Sequence, residues 1–231
     1  MRKYAVIVAG GSGTRLGGDI PKQFRILEGR PLVWWSLRAF HAEDAATRII
    51  LVVPSHLIDM WRGLFDGLPE KEKIEHTIVG GGATRTESVE NGLRMIDANG
   101  EALVAIHDAA RPLVNLQIVR NGWAAALKYK AAVPVVPVTD SLRMLTKEGN
   151  KAIDRSDFVA IQTPQVFDAS LLLKAYAERE GATLSDDASV VENAGTKIHL
   201  YEGSPLNIKV TNPGDIEVAA IHLKRLYGIV S

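Results

Sequence analysis

A three-layer α/β fold built on a mainly parallel, twisted sheet is what this sequence predicts, and three observations carry that expectation. Apolar runs of strand length alternate with amphipathic stretches of helix length, the pattern of βα units. The first run, Tyr4-Ala5-Val6-Ile7-Val8-Ala9, leads directly into a glycine-rich loop, and in open α/β sheets ligands sit at such strand ends. At 231 residues and 46% hydrophobic content the chain can bury one large core. A single domain over residues 1–231 is therefore expected.

Strands are expected at residues 4–9, 48–53, 74–79, 102–107, 131–138, 197–201 and 207–210. Between them, Pro31 suits the first residue of a helix whose apolar face includes Leu32, Trp35 and Phe40. Thr84-Arg85-Thr86-Glu87 reads as a capping box ahead of Val89, Leu93 and Ile96. Asp186-Asp187 open a helix over 188–194 by N-capping and dipole complement. Asn212-Pro213 open the last helix, with Ile216, Ala219, Ala220 and Leu223 facing inward. Trp34, Trp35, Trp61 and Trp123 are expected in the core. Residues 140–155 break the alternation: short strand, Lys147-Glu148-Gly149-Asn150, short strand, an inserted hairpin. A two-stranded ribbon is marginal in water by itself, so an arm spanning 139–158 is expected to pack on something, most naturally a second subunit.

Composition narrows the function classes. Lys plus Arg and Asp plus Glu balance at 27 each, so no global field recruits a nucleic acid or an anionic membrane. A polyanionic partner would be small and held locally. No cysteine occurs, which excludes disulfides, thiolate zinc sites and a cysteine nucleophile. The apolar run after Arg2 and Lys3 breaks at Gly10, too short for a signal or a membrane span. A soluble, unprocessed, cytoplasmic chain is the expectation.

The loop after the first strand, Gly10-Gly11-Ser12-Gly13-Thr14-Arg15-Leu16-Gly17, leaves backbone N–H groups unobstructed and able to close around an anion. Two cations, Arg15 and Lys22, flank it, as charge neutralisation of a polyphosphate requires. A P-loop would end in Gly-Lys-Ser/Thr, a tripeptide absent here. The dinucleotide fingerprint begins at Gly11-Ser12-Gly13 but has Leu16 at its third glycine position. From the loop alone, a glycine-rich turn without ligand stays open.

Four further strand ends carry a signal. Gly80-Gly81-Gly82-Ala83-Thr84-Arg85 offers flexible backbone before a helix N-terminus, suited to a ribose or base edge. In His107-Asp108-Ala109-Ala110-Arg111-Pro112, a lone carboxylate beside a phosphate loop suggests a hard cation such as Mg²⁺. Thr139-Asp140-Ser141 and Asn207-Ile208-Lys209-Val210-Thr211 complete the set. Bland readings stand beside these: Asp108 capping and pairing with Arg111, His107 as a hydrogen-bonded strand-end residue, Lys209 as a solvated edge residue. Convergence on one sheet edge favours a site.

Taken in order, Gly10-Gly11-Ser12-Gly13-Thr14-Arg15 with Pro21-Lys22-Gln23, Gly81-Gly82 with Ser88, His107-Asp108-Ala109-Ala110-Arg111-Pro112, Gln162-Thr163-Pro164-Gln165 and Asn207-Ile208-Lys209-Val210-Thr211 resemble the 2-C-methyl-D-erythritol 4-phosphate cytidylyltransferase family of the non-mevalonate isoprenoid pathway. The resemblance runs from Ala5 to the last helix. It implies a glycosyltransferase-A-like, Rossmann-like nucleotidyltransferase that acts as a homodimer and joins CTP to the sugar-alcohol phosphate with release of pyrophosphate. Ala9, Gly10, Gly11, Gly13 and Thr14 would wrap the CTP phosphates, with Arg15 and Lys22 stabilising the transition state. Gly82, Ala83 and Ser88 would meet the cytosine and ribose. Asp108 would help hold Mg²⁺ and the incoming substrate, and Arg111, Ser141, Thr163 and Lys209 would line the methylerythritol phosphate site. Arg155 would reach across the dimer into the neighbour's site. The chain departs from the family's usual Ala-Ala-Gly at Val8-Ala9-Gly10-Gly11, from an acidic residue at Ala83 and from threonine at Ser141; Ala83 bears on base selectivity.

The residue inventory suits this chemistry. A phosphate monoester nucleophile is already ionised near neutral pH, its second pKa being about 6, so no general base is required. Cations, a metal ion and loop N–H groups can offset the charge gathering at the α-phosphorus and the leaving pyrophosphate, while Lys209 and Arg155 suit the positioning of two mutually repelling anions. Rival expectations are a D-ribitol 5-phosphate cytidylyltransferase, a dinucleotide-dependent oxidoreductase, which would want an acidic residue where Val53-Pro54 stand, and a non-catalytic nucleotide-binding module.

Overall fold

β1 (Arg2–Val8) is apolar on both faces and sits inside the sheet, with a parallel neighbour on each side. The computed structural model describes residues 1–11, 20–97, 99–179 and 184–228. After β1 come a short ribbon of β2 (Ile26–Leu27) and β3 (Arg30–Pro31), then α1 (Leu32–Glu43), β4 (Arg48–Val53), α2 (Ile58–Asp66), β5 (Thr77–Gly80), α3 (Arg85–Leu93), β6 (Ala102–Asp108), α4 (Leu116–Tyr129) and β7 (Ala131–Pro137). The chain continues through β8 (Leu142–Thr146), β9 (Gly149–Ile153), β10 (Val159–Ile161), β11 (Gln165–Asp168), α5 (Ala169–Glu178), α6 (Asp187–Asn193), β12 (His199–Glu202) and α7 (Pro213–Tyr227).

The main sheet has eight strands in the order β10-β7-β11-β6-β1-β4-β5, with β12 pairing β7. β6, β1, β4 and β5 run parallel, as does β12 on β7. β11 is antiparallel to β6 and β7, and β10 to β7. The period-2 alternation of strands builds two cores. From β1, Ala5 and Ile7 face one core with Leu32 and Phe40 of α1, Trp123 of α4 and Leu223 of α7. Tyr4, Val6 and Val8 face the other with Leu93 of α3, Leu172 of α5 and Val190 of α6. All four tryptophans are buried as expected.

Several local expectations change. Residues 207–210 form no strand: Val210 N–H bonds to the Ala110 carbonyl, and the Asn207 side chain donates to the Thr163 carbonyl, so tertiary bonds replace a ladder. β10 and β11 escape the strand pattern because each is only three or four residues long and β11 is apolar on both faces. β5 is confined to the end of the expected 74–79 run, and Pro31 is the N-cap of α1, while the helix begins at Leu32. At α3 only half of the capping box forms. Thr84 Oγ1 accepts the Glu87 N–H at 3.1 Å, but Glu87 Oε2 accepts the N–H of Ala83, one residue earlier. The capping of α7 holds: Asp215 Oδ2 accepts the N–H groups of Thr211 and Asn212, both at 2.7 Å. The inserted hairpin is present as β8 and β9, a separate two-stranded sheet.

Candidate active site

Past the ends of the parallel strands the backbone stays zipped for one more residue: Ala9 N–H to Val52 O, Gly81 N–H to Val53 O and Ala109 N–H to Val8 O. Three loops thus leave the sheet from one edge, and a cleft of about 230 Å³ opens between them. Ala9, Gly10 and Gly11 form one wall, Gly82 to Arg85 and Ser88 a second, and Asp108 to Ala110 the floor, with Lys22 and Lys209 reaching in. Lys22 passes close to Gly11: a Cβ there would stand 3.2 Å from Lys22 Cε, so a side chain would make the lysine shift by a few tenths of an ångström. Lys22 Nζ donates to the Val210 carbonyl at 3.3 Å.

The second glycine loop is rigidly bonded rather than loose. Ser88 Oγ donates to the Thr84 carbonyl at 2.9 Å and accepts the Gly82 N–H at 3.1 Å. Ala83 N–H goes to Glu87 at 2.8 Å, and Asn91 Nδ2 holds the Gly80 carbonyl at 3.0 Å. A Cβ on Gly82 would collide with Cβ of Glu87, so this turn closes only on glycine. Its two amides are spent internally, so the loop meets a ligand with a fixed shape.

A second cleft of about 240 Å³ adjoins the first and shares Arg85, Asp108 and Lys209 with it. Its other lining comes from Arg111, residues 161–163, Gln165, Ser185 and Asp186. Asp108 stands on the common wall with its side chain 12% exposed. Lys209 Nζ donates to its Oδ2 at 2.7 Å and Arg85 Nε to its Oδ1 at 3.1 Å. Burial would raise the Asp108 pKa, but the two cations outweigh it and hold the carboxyl well below the usual range. Arg85 continues to a fully buried carboxylate: its Nη2 donates to Asp187 Oδ2 at 2.8 Å, and Asp187 Oδ1 accepts from Tyr176 OH at 2.6 Å. Burial alone would lower the Arg85 pKa; its two carboxylates reverse that and keep it charged. Burial, with Asp187 beside it, pushes the Tyr176 phenol up and keeps it neutral.

His107, beneath the floor, is fully buried. Desolvation lowers its pKa to about 4, so the imidazole is neutral at physiological pH. Arg111 Nη1 donates to the Asn207 carbonyl at 2.7 Å, and burial lowers its pKa. Its Nε is buried without a partner.

The sequence profile of the IspD family, 2-C-methyl-D-erythritol 4-phosphate cytidylyltransferase, matches residues 4–225. The chain belongs to this family. It is similar to the 2-C-methyl-D-erythritol 4-phosphate cytidylyltransferase of Bacteroides thetaiotaomicron, 42% identical over 220 residues that cover 95% of this chain and 99% of the relative. The Bacteroides fragilis enzyme of the same name is 43% identical over 95% of this chain and 99% of its own. The crystal structure of the enzyme of that name from Thermus thermophilus superposes with a TM-score of 0.75 at 32% identity, covering 95% of this chain and 98% of the other. A Rossmann-like α/β nucleotidyltransferase fold and a cytidylyltransferase identity follow from this membership.

Within the family frame, the structure brings together Ala9, Gly10, Gly11, Lys22, Gly82, Ala83, Ser88, Asp108, Arg111, Thr163 and Lys209 around the two clefts. Gly13, Thr14 and Arg15 lie outside the described residues. Ser141 and Arg155 line neither cleft; both are exposed at the base of the hairpin, where Arg155 donates to the Thr139 carbonyl. Three bland readings give way. Asp108 pairs with Arg85 and Lys209, not Arg111, because the Arg111 guanidinium turns to the 207 loop. Lys209 is therefore no solvated edge residue. Asp187 does more than complement a helix dipole: Asp186 is the N-cap, while Asp187 is the buried partner of Arg85 and Tyr176. Sequence reasoning missed this role of Asp187, and also missed Gln165, which donates to Asp186 at 2.6 Å and accepts the Ala188 N–H. The signal was the double carboxylate itself, since a single N-cap needs only one.

Proposed function

We propose that the two adjoining clefts hold CTP and 2-C-methyl-D-erythritol 4-phosphate on either side of Asp108, for transfer of CMP and release of pyrophosphate. The observation that carries this reading is the shared wall: two pockets with Arg85, Asp108 and Lys209 in common suit a reaction that joins two anions. An acceptor phosphate oxygen attacks the α-phosphorus, the new P–O bond forms, and the bond to the β-phosphate oxygen breaks. Lys22, with Arg15, offsets charge on the nonbridging oxygens and the leaving group. Lys209, Arg111 and Thr163 orient the acceptor. No side chain has to remove a proton, because the acceptor phosphate is ionised with a second pKa of about 6. His107 lines neither cleft and has both ring nitrogens hydrogen-bonded, so it offers the acceptor no base.

Asp108 fits a Mg²⁺ ligand: Mg²⁺ is commonly bound through one or two carboxylates plus substrate phosphates and water, and among the described residues no group of three His, Cys, Asp or Glu offers an all-protein cage. Bound there, the ion would supply Lewis-acid neutralisation of the triphosphate. Ala83 lines the nucleotide pocket on a backbone whose N–H is held by Glu87, so it would offer the base a fixed shape and no acidic side chain of its own.

A homodimer built on the 139–158 arm completes the reading. Leu145 of the ribbon is 84% exposed and Met144 is exposed too, as are Phe158, Val159 and Ile161 where the arm rejoins the main sheet, apolar side chains that a second copy would cover. Ser141 and Arg155, remote from their own clefts, would then serve the partner's. Among the described residues no helix is long and apolar enough to cross a membrane, and a cysteine-free chain fits the reducing cytoplasm.

Pyrophosphate release with CTP and Mg²⁺, measured against a panel of polyol phosphates, tests the assignment. 2-C-Methyl-D-erythritol 4-phosphate should exceed D-ribitol 5-phosphate in kcat/KM by about tenfold or more, because the longer chain brings an extra hydroxyl that the second cleft would leave unpartnered. Equal rates would overturn the acceptor and leave the cytidylyltransferase class standing.

A further inference from the structure

We propose that His107, which lines neither cleft, is a positioning residue for the acceptor: one buried imidazole ties Asp108, Arg111 and Thr163 into a single unit. The β11–β6 ladder runs from Asp168↔Leu103 to Gln165↔Ile106 and then stops. Beyond it, side chains take over the cross-links. Asp108 N–H donates to Thr163 Oγ1 at 3.1 Å, and the same Oγ1 lies 3.1 Å from His107 Nδ1. His107 Nε2 lies 3.3 Å from the Arg111 carbonyl, and the Arg111 N–H closes a turn onto the Asp108 carbonyl at 3.0 Å.

One proton arrangement satisfies every group. The Thr163 hydroxyl accepts from Asp108 N–H and donates to Nδ1; Nε2 carries the ring proton and donates to the Arg111 carbonyl. The ring lies on the same face of β6 as Leu103 and Ala105, edge-on to Phe40 at 5.5 Å between centroids. Buried against Phe40 and bonded at both nitrogens, it fixes the distance between a strand-end carboxylate and a threonine 55 residues away. Neither Asn nor Gln spans both positions: Asn reaches the Nδ1 position and Gln the Nε2 position.

The inference rests on the reading that Asp108, Arg111 and Thr163 hold the acceptor, and the experiment separates the two. Steady-state KM for each substrate and CTP Kd by calorimetry are measured for His107→Leu, His107→Asn, His107→Gln, Thr163→Val and Arg111→Ala. His107→Leu is expected to raise the acceptor KM about tenfold while CTP Kd stays within about twofold, since Thr163 and Arg111 lose their tie whereas the shared Asp108 carboxylate keeps its bonds to Arg85 and Lys209. His107→Asn, which can still accept the Thr163 hydroxyl, should recover part of the loss, and Thr163→Val should resemble His107→Leu. Should His107→Leu fail to fold, the Asn and Gln variants carry the same comparison. A lowered Tm with an unchanged acceptor KM, or equal losses for both substrates, would overturn the positioning role. If Arg111→Ala and Thr163→Val themselves left the acceptor KM unchanged, the acceptor reading would fail first and the positioning role with it.

Discussion

The cleft edge and the hairpin arm stand at opposite extremes of support. Around Asp108, charges from β6, the 209 loop, α3 and α6 are mutually paired, and each half of the sheet edge braces the other. In the arm, β8 and β9 pair only with each other, almost every residue is exposed, and Arg143 with Asn150 makes the cross-ribbon side-chain bond. The clefts are preorganised by intrachain bonds, whereas the arm carries apolar side chains without a core to bury them.

That contrast can be broken first at the cleft edge. Arg85→Met leaves Asp187 buried with Tyr176 alone and should cost about 3–5 kcal/mol, the range for breaking a buried ion pair; urea unfolding would show it, and a loss below about 1 kcal/mol would mean that Asp187 is not held by Arg85. Lys22→Ala should lower kcat by about two orders of magnitude, or about 3 kcal/mol, with little change in unfolding. Near wild-type turnover would remove Lys22 from the transition state.

The buried imidazole sharpens the same contrast through pH. His107 has its folded pKa lowered to about 4, so between about 6.5 and 4 the unfolded chain binds a proton that the folded one refuses. Stability therefore falls as pH drops through that window, by about 3 kcal/mol in total, and is level below it as far as His107 is concerned. Unfolding of the metal-free protein across that range should be steeper than for His107→Gln; parallel curves would show that the ring is not desolvated.

At the arm the effects should be intersubunit. Arg155→Ala is expected to lose activity as a homodimer, and mixing it with Lys22→Ala should restore part of it, because one site of the heterodimer receives both damaged residues and the other neither. No rescue in verified heterodimers would place Arg155 in its own chain's function. Smallest of all, Leu145→Ser should change unfolding of the monomer by less than about 0.5 kcal/mol, as expected for an exposed side chain, while shifting sedimentation toward monomer. A large loss of monomer stability would mean the arm packs on its own chain.

Legibility followed the range of the interactions. The parallel strands were readable because burial on both faces makes them continuous apolar runs, and the glycine loops because clustered glycines follow those runs directly. Most expected site residues converge for the same reason: they sit at carboxyl ends of adjacent parallel strands, and chain order fixes which ends those are. The doubled carboxylate flagged Asp187, but nothing local named Arg85, 102 residues away, as its partner. Nor did the cross-link at Thr163, whose hydroxyl bonds Asp108 where the ladder ends, have a local signature.

The βα alternation, the glycine-rich sheet edge, the inserted hairpin and the inventory of cationic and acidic residues there were all set by the chain's local pattern, since each depends on neighbours within a few positions. Long-range closure of the chain settled that β11 enters antiparallel between β6 and β7, that residues 207–210 bring Lys209 to the clefts as a loop, and that Asp108 is held by Arg85 and Lys209 rather than by Arg111. These outcomes turn on which buried polar groups find partners when distant segments close together, and in a low-dielectric interior an unpaired group costs more than any local propensity contributes.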